Sequence, residues 1–125
     1  MGADPISLAV SMHSQAVDPS TRLMPFVVRK APKAHGQTKL IEGNFKTGDT
    51  VVVIDDVVTR GDSTIAAIEA VKKEGGNVAF VAVLVDRQQG GREKIEQLGY
   101  HVVSAFRRDD LLGATQVSQL AAHAA

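Results

Sequence analysis

Two adjacent acids, Asp55 and Asp56, stand directly after a continuous apolar run, residues 51–54. Neighbouring carboxylates repel an anion, but they accept hydrogen bonds well and therefore suit the hydroxyl groups of a sugar. Three hydroxyl side chains follow closely in the sequence: Thr59, Ser63 and Thr64. The spacing predicts one site in which carboxylates and hydroxyl donors meet the same small ligand.

The segment after the acids is expected to turn from a strand into a helix. Its residues are Thr59, Arg60, Gly61, Asp62, Ser63 and Thr64. Free backbone N–H groups and the helix dipole favour a phosphate at such a helix start. The segment matches neither G-x-x-x-x-G-K-[ST] nor G-x-G-x-x-G, so a nucleoside triphosphate or dinucleotide site is disfavoured. The pattern therefore predicts a site for a phosphorylated ribose.

A simpler interpretation of the same segment needs no ligand. Asp62 or Ser63 would cap the helix, as such residues commonly do. Asp55 and Asp56 would then be solvated acids at a strand end. The acid pair, the hydroxyl groups and the glycine turn together favour the binding interpretation.

A second group of interest is a basic stretch that contains no acid: Arg29, Lys30, Lys33, His35 and Lys39. The whole chain has a formal net charge of +0, so it has no general electrostatic attraction to nucleic acid. A local cationic loop on a neutral protein favours a small anionic ligand over a polymer. Loops are often simply polar, so a solvated basic loop is the alternative.

The elements that must position these residues follow from hydrophobic patterning. Helices are predicted over residues 4–17, 63–73, 91–98 and from 109, and strands over 23–28, 39–42, 51–54, 78–85 and 101–106. Continuous rather than alternating hydrophobicity at 51–54 indicates a central parallel strand, buried on both faces. The β-α-β-α-β order predicts an α/β fold, an open and mostly parallel sheet flanked by helices. A length of 125 residues predicts a single domain over 1–125.

Composition narrows the class of protein further. Apolar residues make up 44% of the chain and aromatic residues 4%, which favours a Val, Ile, Leu and Ala core. The sequence has no Cys, which excludes disulfides and thiolate metal sites and fits the cytoplasm. It has no apolar run long enough for a membrane span and no signal-peptide pattern at its start. We therefore expect a cytoplasmic protein without membrane or nucleic-acid partners.

Segment 51–64 resembles the ribose-phosphate-binding motif of the type I phosphoribosyltransferases: an apolar strand, two acids, two apolar residues and a Thr/Gly/Ser turn. Residues 29–36, Arg-Lys-Ala-Pro-Lys-Ala-His-Gly, resemble the mobile catalytic loop of the orotate phosphoribosyltransferases within that family. Val-Asp-Arg at 85–87 and Gly-Gly-Arg-Glu at 90–93 are also similar to those enzymes. The similarity extends from about residue 2 to residue 112, and it implies a type I phosphoribosyltransferase-like fold.

The resemblance implies an activity: transfer of phosphoribosyl from phosphoribosyl pyrophosphate to orotate in pyrimidine nucleotide synthesis, with Mg²⁺ as cofactor and a homodimer as the assembly. Asp55 and Asp56 would hold the ribose hydroxyls. The turn 59–64 would bind the 5′-phosphate, and Arg87 would contact the orotate base.

The same resemblance gives the basic loop a role in catalysis. Its cations would neutralise the departing pyrophosphate, and part of the loop would reach into a partner subunit. Lys33 and His35 would be catalytic residues, and Arg29 and Lys30 substrate-binding residues. Charge builds on the leaving group, so fixed cations there lower the barrier. A closing loop would also exclude water.

This sequence departs from the family in two ways. Orotate phosphoribosyltransferases are longer, and the chain is expected to lack their amino-terminal segment. The phosphate turn usually holds small residues, whereas Asp62 here would repel a phosphate unless it points away, with Arg60 able to offset it. We therefore expect weaker phosphate binding than in the family, and stronger binding in Asp62→Gly.

Two other functions remain open from the sequence. One is a non-catalytic or regulatory module of the same fold that binds ribose phosphate without turnover. The other is a response-regulator receiver domain, which also carries acid pairs at strand ends. A receiver domain normally has its acids after the first strand, whereas here a helix and a basic loop precede them.

Overall fold

A computed structural model describes residues 2–31, 35 and 39–113 of the chain. Its elements in chain order are α1 (Ala3–Val17), β1 (Phe26–Val28), β2 (Ile41–Gly43), β3 (Thr50–Val58), α2 (Asp62–Lys73), β4 (Asn77–Asp86), α3 (Gly91–Gln97) and β5 (Val102–Arg107). Residues 108–113 are also helical. No helix in this described part is long and apolar enough to cross a bilayer.

The main sheet has three parallel strands in the order β3-β4-β5. Runs of β-branched residues form these strands, and helices α2 and α3 make the crossovers between them. Because all three strands run the same way, their carboxyl ends share one edge, where ligands of open α/β sheets bind. A separate antiparallel pair joins β1 to β2 and holds the two ends of the basic loop.

The core lies between one face of the main sheet and the two crossover helices. Ile68 of α2 and Ile95 of α3 are buried against three strand valines, Val53, Val81 and Val102. Each such side chain removed from water contributes about 1.5–3 kcal/mol, so this layer anchors the strand ends that carry the site. Helix α1 contacts β3 but buries none of its own residues.

The structure confirms the predicted α/β class and the parallel sheet flanked by helices. The prediction of a central strand at 51–54 was wrong: β4 is central, and β3 pairs with β4 alone among the described strands. Continuous apolar runs mark burial by helices as well as by neighbouring strands, and α1 and α2 both contact β3. Pattern alone therefore did not separate an edge strand from a central one.

Candidate functional site

The acid pair lies near the carboxyl end of β3, where its two members have different surroundings. Asp55 is partly buried, and its Oδ2 accepts hydrogen bonds from the Thr64 hydroxyl at 2.9 Å and the Ser63 hydroxyl at 3.4 Å. Asp56 accepts a bond from the backbone N–H of Val57 at 2.8 Å. Asp55 therefore fastens the strand end to the start of α2, and Asp56 has no such tie to the helix.

The pKa values of the two carboxyl groups are shifted in opposite directions. Burial raises the pKa of Asp55, the neighbouring Asp56 raises it further, and the hydrogen bond from Thr64 opposes the rise. The pKa of Asp56 is lowered, first by a hydrogen bond from the Asp55 side chain and then by the backbone N–H of Val57. Asp56 is thus the member of the pair that keeps its charge more readily.

Helix α2 begins without a side-chain cap. Its N-cap is Gly61, which has φ +84, and no side chain bonds to the first backbone N–H groups. Only glycine adopts this left-handed conformation without a steric penalty. Residues 57–64 line a pocket of about 230 Å³ at this helix start. The anion site at this helix start stays a prediction, whereas the alternative in which Asp62 or Ser63 caps the helix is wrong, because Gly61 is the N-cap.

The turn before α2 packs directly on the start of α3. The backbone N–H of Gly91 donates to the Thr59 carbonyl at 3.1 Å. A Cβ at Gly91 would lie 2.7 Å from that oxygen and 2.8 Å from the Gly61 nitrogen, both backbone atoms. Position 91 therefore accepts no side chain, and the close contact braces the turn from behind.

Asp62 lines the pocket but is paired. Its Oδ1 lies 2.5 Å from Lys94 Nζ, on α3. Lys94, and more weakly Arg60, lower the pKa of the Asp62 carboxyl. The acid that the sequence places inside the turn 59–64 is thus neutralised by a cation from a different helix.

The basic loop is described in part. Arg29 pairs with Glu42 of β2, with 2.5 Å between Nη2 and Oε2. Lys30 and His35 are exposed, and Lys33 lies outside the described residues. The structure thus places Arg29 at the loop's base, and among the described residues of this loop neither Arg29, Lys30 nor His35 forms an ion pair with the acid pair.

Arg87 follows β4 and lines a second pocket of about 400 Å³, together with Val57, Val85, Arg108, Leu111 and Leu112. Because Val57 lines both pockets, the second one adjoins the phosphate turn. The predicted base-contacting residue therefore lies beside the predicted ribose-phosphate site.

Sequence reasoning missed three residues that the fold brings to this region: Gly91, Lys94 and Arg108. The pair Gly90-Gly91 before a helix was a usable signal, since adjacent glycines mark a close backbone approach. Lys94 and Arg108 carried no such signal, because a single Lys or Arg on an exposed surface is ordinary.

The side chains available as ligands limit which metal ion the chain could bind. Among residues 2–31, 35 and 39–113, no three His, Asp or Glu side chains converge as a metal site. Mg²⁺ commonly takes one or two carboxylates plus substrate phosphates, and Asp56 could supply such a carboxylate. The residues present therefore fit a cation that arrives with a phosphorylated ligand.

Known proteins are similar to this chain in sequence. A model of the phosphoribosyl transferase domain matches residues 11–105. Orotate phosphoribosyltransferase of Aquifex aeolicus (strain VF5) is 44% identical over 112 residues, which are 90% of this chain and 60% of the relative. The enzyme of that name from Tropheryma whipplei (strain Twist) is 43% identical over 112 residues, covering 90% of this chain and 51% of the relative.

A solved structure is also similar to this chain. Orotate phosphoribosyltransferase of Mycobacterium tuberculosis H37Rv, in complex with 5-phospho-alpha-D-ribosyl 1-diphosphate, aligns with a TM-score of 0.75 and 38% identity, covering 89% of this chain and 60% of that chain. The chain thus spans little more than half the length of these relatives. With the site geometry and these similarities together, the chain belongs to the phosphoribosyl transferase domain family.

Proposed function

We propose that this chain carries the ribose-phosphate site of an enzyme that transfers phosphoribosyl from phosphoribosyl pyrophosphate to orotate. The observation that carries the proposal is the uncapped start of α2, which faces a pocket beside the acid pair. The relatives named orotate phosphoribosyltransferase support the choice of reaction. The M. tuberculosis enzyme bound to 5-phospho-alpha-D-ribosyl 1-diphosphate supports the choice of donor.

Different residues of the site bind different parts of the donor substrate. The 5′-phosphate accepts hydrogen bonds from the free N–H groups of the turn 59–64 and from the Ser63 hydroxyl. Asp56 accepts bonds from the ribose hydroxyls, since it is the acid that stays charged. Asp55 contributes a second acceptor while its bond to Thr64 keeps the strand and helix in place.

The reaction breaks the bond between the anomeric carbon and pyrophosphate, which leaves with the electron pair. Positive charge grows on the ribose ring, and a ring nitrogen of orotate supplies the electrons of the new bond and loses its proton. Lys30, Lys33 and His35 of the basic loop, with Arg29 at its base, stabilise the charge on the leaving pyrophosphate. Mg²⁺, when bound, neutralises phosphate charge, and Asp56 is the residue that would help to hold it.

We also propose a residue that binds the acceptor base, an oligomeric state and a cellular location. Arg87 binds the acceptor base, because it lines the pocket that adjoins the phosphate turn. A homodimer is proposed because α1 leaves Leu8 and Met12 exposed, at 53% and 66%. A cytoplasmic location is proposed from the absence of Cys in the sequence.

Calorimetric titration with phosphoribosyl pyrophosphate and Mg²⁺ tests the ribose-phosphate site. We expect the wild type to bind. In the Asp55→Asn, Asp56→Asn double variant we expect the affinity to fall about tenfold or more, since both substitutions weaken charged hydrogen bonds. The matched control is Glu69→Gln, Glu74→Gln, which removes the same charge from α2 and its C-cap. Equal affinity in all three proteins would refute the site.

Turnover is tested separately with orotate added to the same mixture. Formation of orotidine 5′-monophosphate and pyrophosphate would establish the transferase activity. Binding that depends on the acid pair, without product, would instead identify a non-catalytic ribose-phosphate module.

A further inference from the structure

The second pocket contains Arg108, a residue to which the family resemblance assigns no role, beside Arg87. Asp86 and Arg107 are the last register partners of β4 and β5. The next residues, Arg87 and Arg108, therefore leave the two parallel strands at the same edge of the sheet. Both line the pocket of about 400 Å³.

A relay of hydrogen bonds holds the two segments together. Asp86 is 2% exposed, and its Oδ1 accepts a bond from the backbone N–H of Gln88 at 2.8 Å. Gln88 has φ +56, which is uncommon for a residue other than glycine. Its side-chain oxygen accepts a bond from the backbone N–H of Asp109 at 3.0 Å. The backbone of Arg87 is held as well, by donation to the Val58 carbonyl at 3.0 Å.

The two guanidinium groups have no counter-ion in the described part of the chain. No ion pair or side-chain hydrogen bond joins Arg87 or Arg108 to any residue within 2–31, 35 or 39–113. Like charges on adjacent strand ends repel each other, and an anion between them removes that repulsion. The planar fork of each arginine matches a carboxylate in particular.

The remaining walls of the pocket are apolar. Leu111 and Leu112 are 45% and 47% exposed, and Val57 is 38% exposed. Aliphatic walls with a few placed polar groups are typical of sites for small organic ligands. A ligand that fits both features is a flat ring that carries a carboxylate.

We propose that Arg108 is a specificity-determining residue that, together with Arg87, binds the carboxylate of the acceptor base. The inference rests on the proposed function and deepens it, because it names the residue that distinguishes a carboxylated base from the same ring without the carboxylate. Gln88 is the positioning residue, since it ties the segment after β4 to the segment after β5.

The test compares two nucleotides that differ in one group. Orotidine 5′-monophosphate and uridine 5′-monophosphate share the ribose phosphate, and only the first has the carboxylate. Their dissociation constants are measured for the wild type, Arg108→Gln and Arg107→Gln. Arg107→Gln is the matched control, because it removes one charge at the preceding position, whose side chain does not line the pocket.

We expect the preference for orotidine 5′-monophosphate to fall roughly tenfold in Arg108→Gln, as a charged hydrogen bond is lost, and to be unchanged in Arg107→Gln. Affinity for uridine 5′-monophosphate stays the same in both variants. Gln88→Ala reduces the preference by a smaller factor.

An unchanged preference in Arg108→Gln would overturn the inference while leaving the ribose-phosphate site intact. If neither nucleotide binds, the ribose-phosphate proposal fails, and titration with free orotate still tests the pocket. Equal orotate affinity in wild type and Arg108→Gln, or no orotate binding at all, would then overturn the inference too.

Discussion

Gly91 lies in backbone contact with Gly61, the N-cap of α2, where we propose that phosphate binds. A Cβ added at Gly61 would lie 3.0 Å from the Gly91 carbonyl oxygen, and one added at Gly91 would lie 2.8 Å from the Gly61 nitrogen. The two residues are far apart in the sequence and lie at the starts of different helices. Their contact couples the shape of the ligand-binding turn to the position of α3.

Gly91→Ala tests this contact. Alanine favours a helix, but here its methyl group would overlap the backbone at Thr59 and Gly61. We expect the free energy of unfolding to fall by about 1–3 kcal/mol, as for other overpacked positions. Affinity for phosphoribosyl pyrophosphate should fall as well. Urea denaturation and calorimetric titration measure the two effects.

The control is Gly90→Ala. A Cβ there meets no atom within 4 Å, although φ is +91. Backbone strain alone should lower stability by about 1 kcal/mol and leave ligand affinity unchanged. If Gly91→Ala behaves in the same way as Gly90→Ala, the contact does not shape the site.

Thr64 and Ser63 both donate to Asp55, and their distances predict different importance. Thr64 is 1% exposed and bonds at 2.9 Å, whereas Ser63 bonds at 3.4 Å. Thr64→Val keeps the shape but removes the closer hydrogen-bond donor of a partly buried carboxyl group, so we expect a loss of about 1–3 kcal/mol in the free energy of unfolding.

Ser63→Ala should cost less stability, and it serves as the control. Because the Thr64 hydroxyl lowers the pKa of Asp55, Thr64→Val should also raise that pKa, as measured by a carboxyl NMR titration. If the pKa of Asp55 is the same in Thr64→Val as in the wild type, the hydrogen bond from Thr64 to Asp55 is absent in solution.

Asp62→Gly is expected to strengthen phosphate binding, since one negative charge leaves the pocket. The ion pair with Lys94 already offsets that charge, so the gain should be no more than about fivefold, in keeping with an exposed pair. Titration with inorganic phosphate measures it, and Asp62→Asn is the shape-matched control. An unchanged affinity in both variants would show that the carboxylate does not act on the ligand.

Lys94→Met should have the opposite effect on phosphate affinity. It leaves Asp62 unpaired at the pocket, so binding should weaken by a few-fold, within the range of exposed ion pairs. In the Asp62→Asn background the same substitution should change little, because no charge remains to be neutralised. Equal effects in the two backgrounds would mean that Lys94 acts on phosphate directly.

The same ion pair predicts a pH dependence of stability. Lys94 lowers the folded-state pKa of Asp62 below its ordinary value of 3.8. A depressed acid pKa contributes stability above the unfolded pKa, and this contribution is lost as pH falls through the folded value. The Tm difference between wild type and Lys94→Met should therefore be largest near neutral pH and shrink below about pH 4.

Asp18 also has a lowered pKa, as Asp62 does, because the hydroxyls of Ser20 and Thr21 donate hydrogen bonds to its carboxyl group. That contribution is common to wild type and Lys94→Met, so it cancels in the comparison. A Tm difference that persists undiminished in acid would show that Lys94 stabilises the fold by packing alone.

Much of the fold was accessible from local pattern. The helix predicted at 63–73 and the strand at 78–85 appear within one residue of the observed α2 and β4. The helix predicted from residue 4 begins one residue earlier, at Ala3, with Gly2 as its N-cap. Local sequence specifies a helix interior better than its first turn.

The sequence by itself determined the strand, the acid pair and the glycine turn, because each depends on residues that are neighbours along the chain. Only the tertiary structure decided that Gly91 supports this turn, that Lys94 neutralises Asp62, and that Arg87 and Arg108 share a pocket. These contacts join residues well separated along the chain. Their geometry depends on how α3 and β5 pack against the sheet, and that packing is a property of the whole core rather than of any segment.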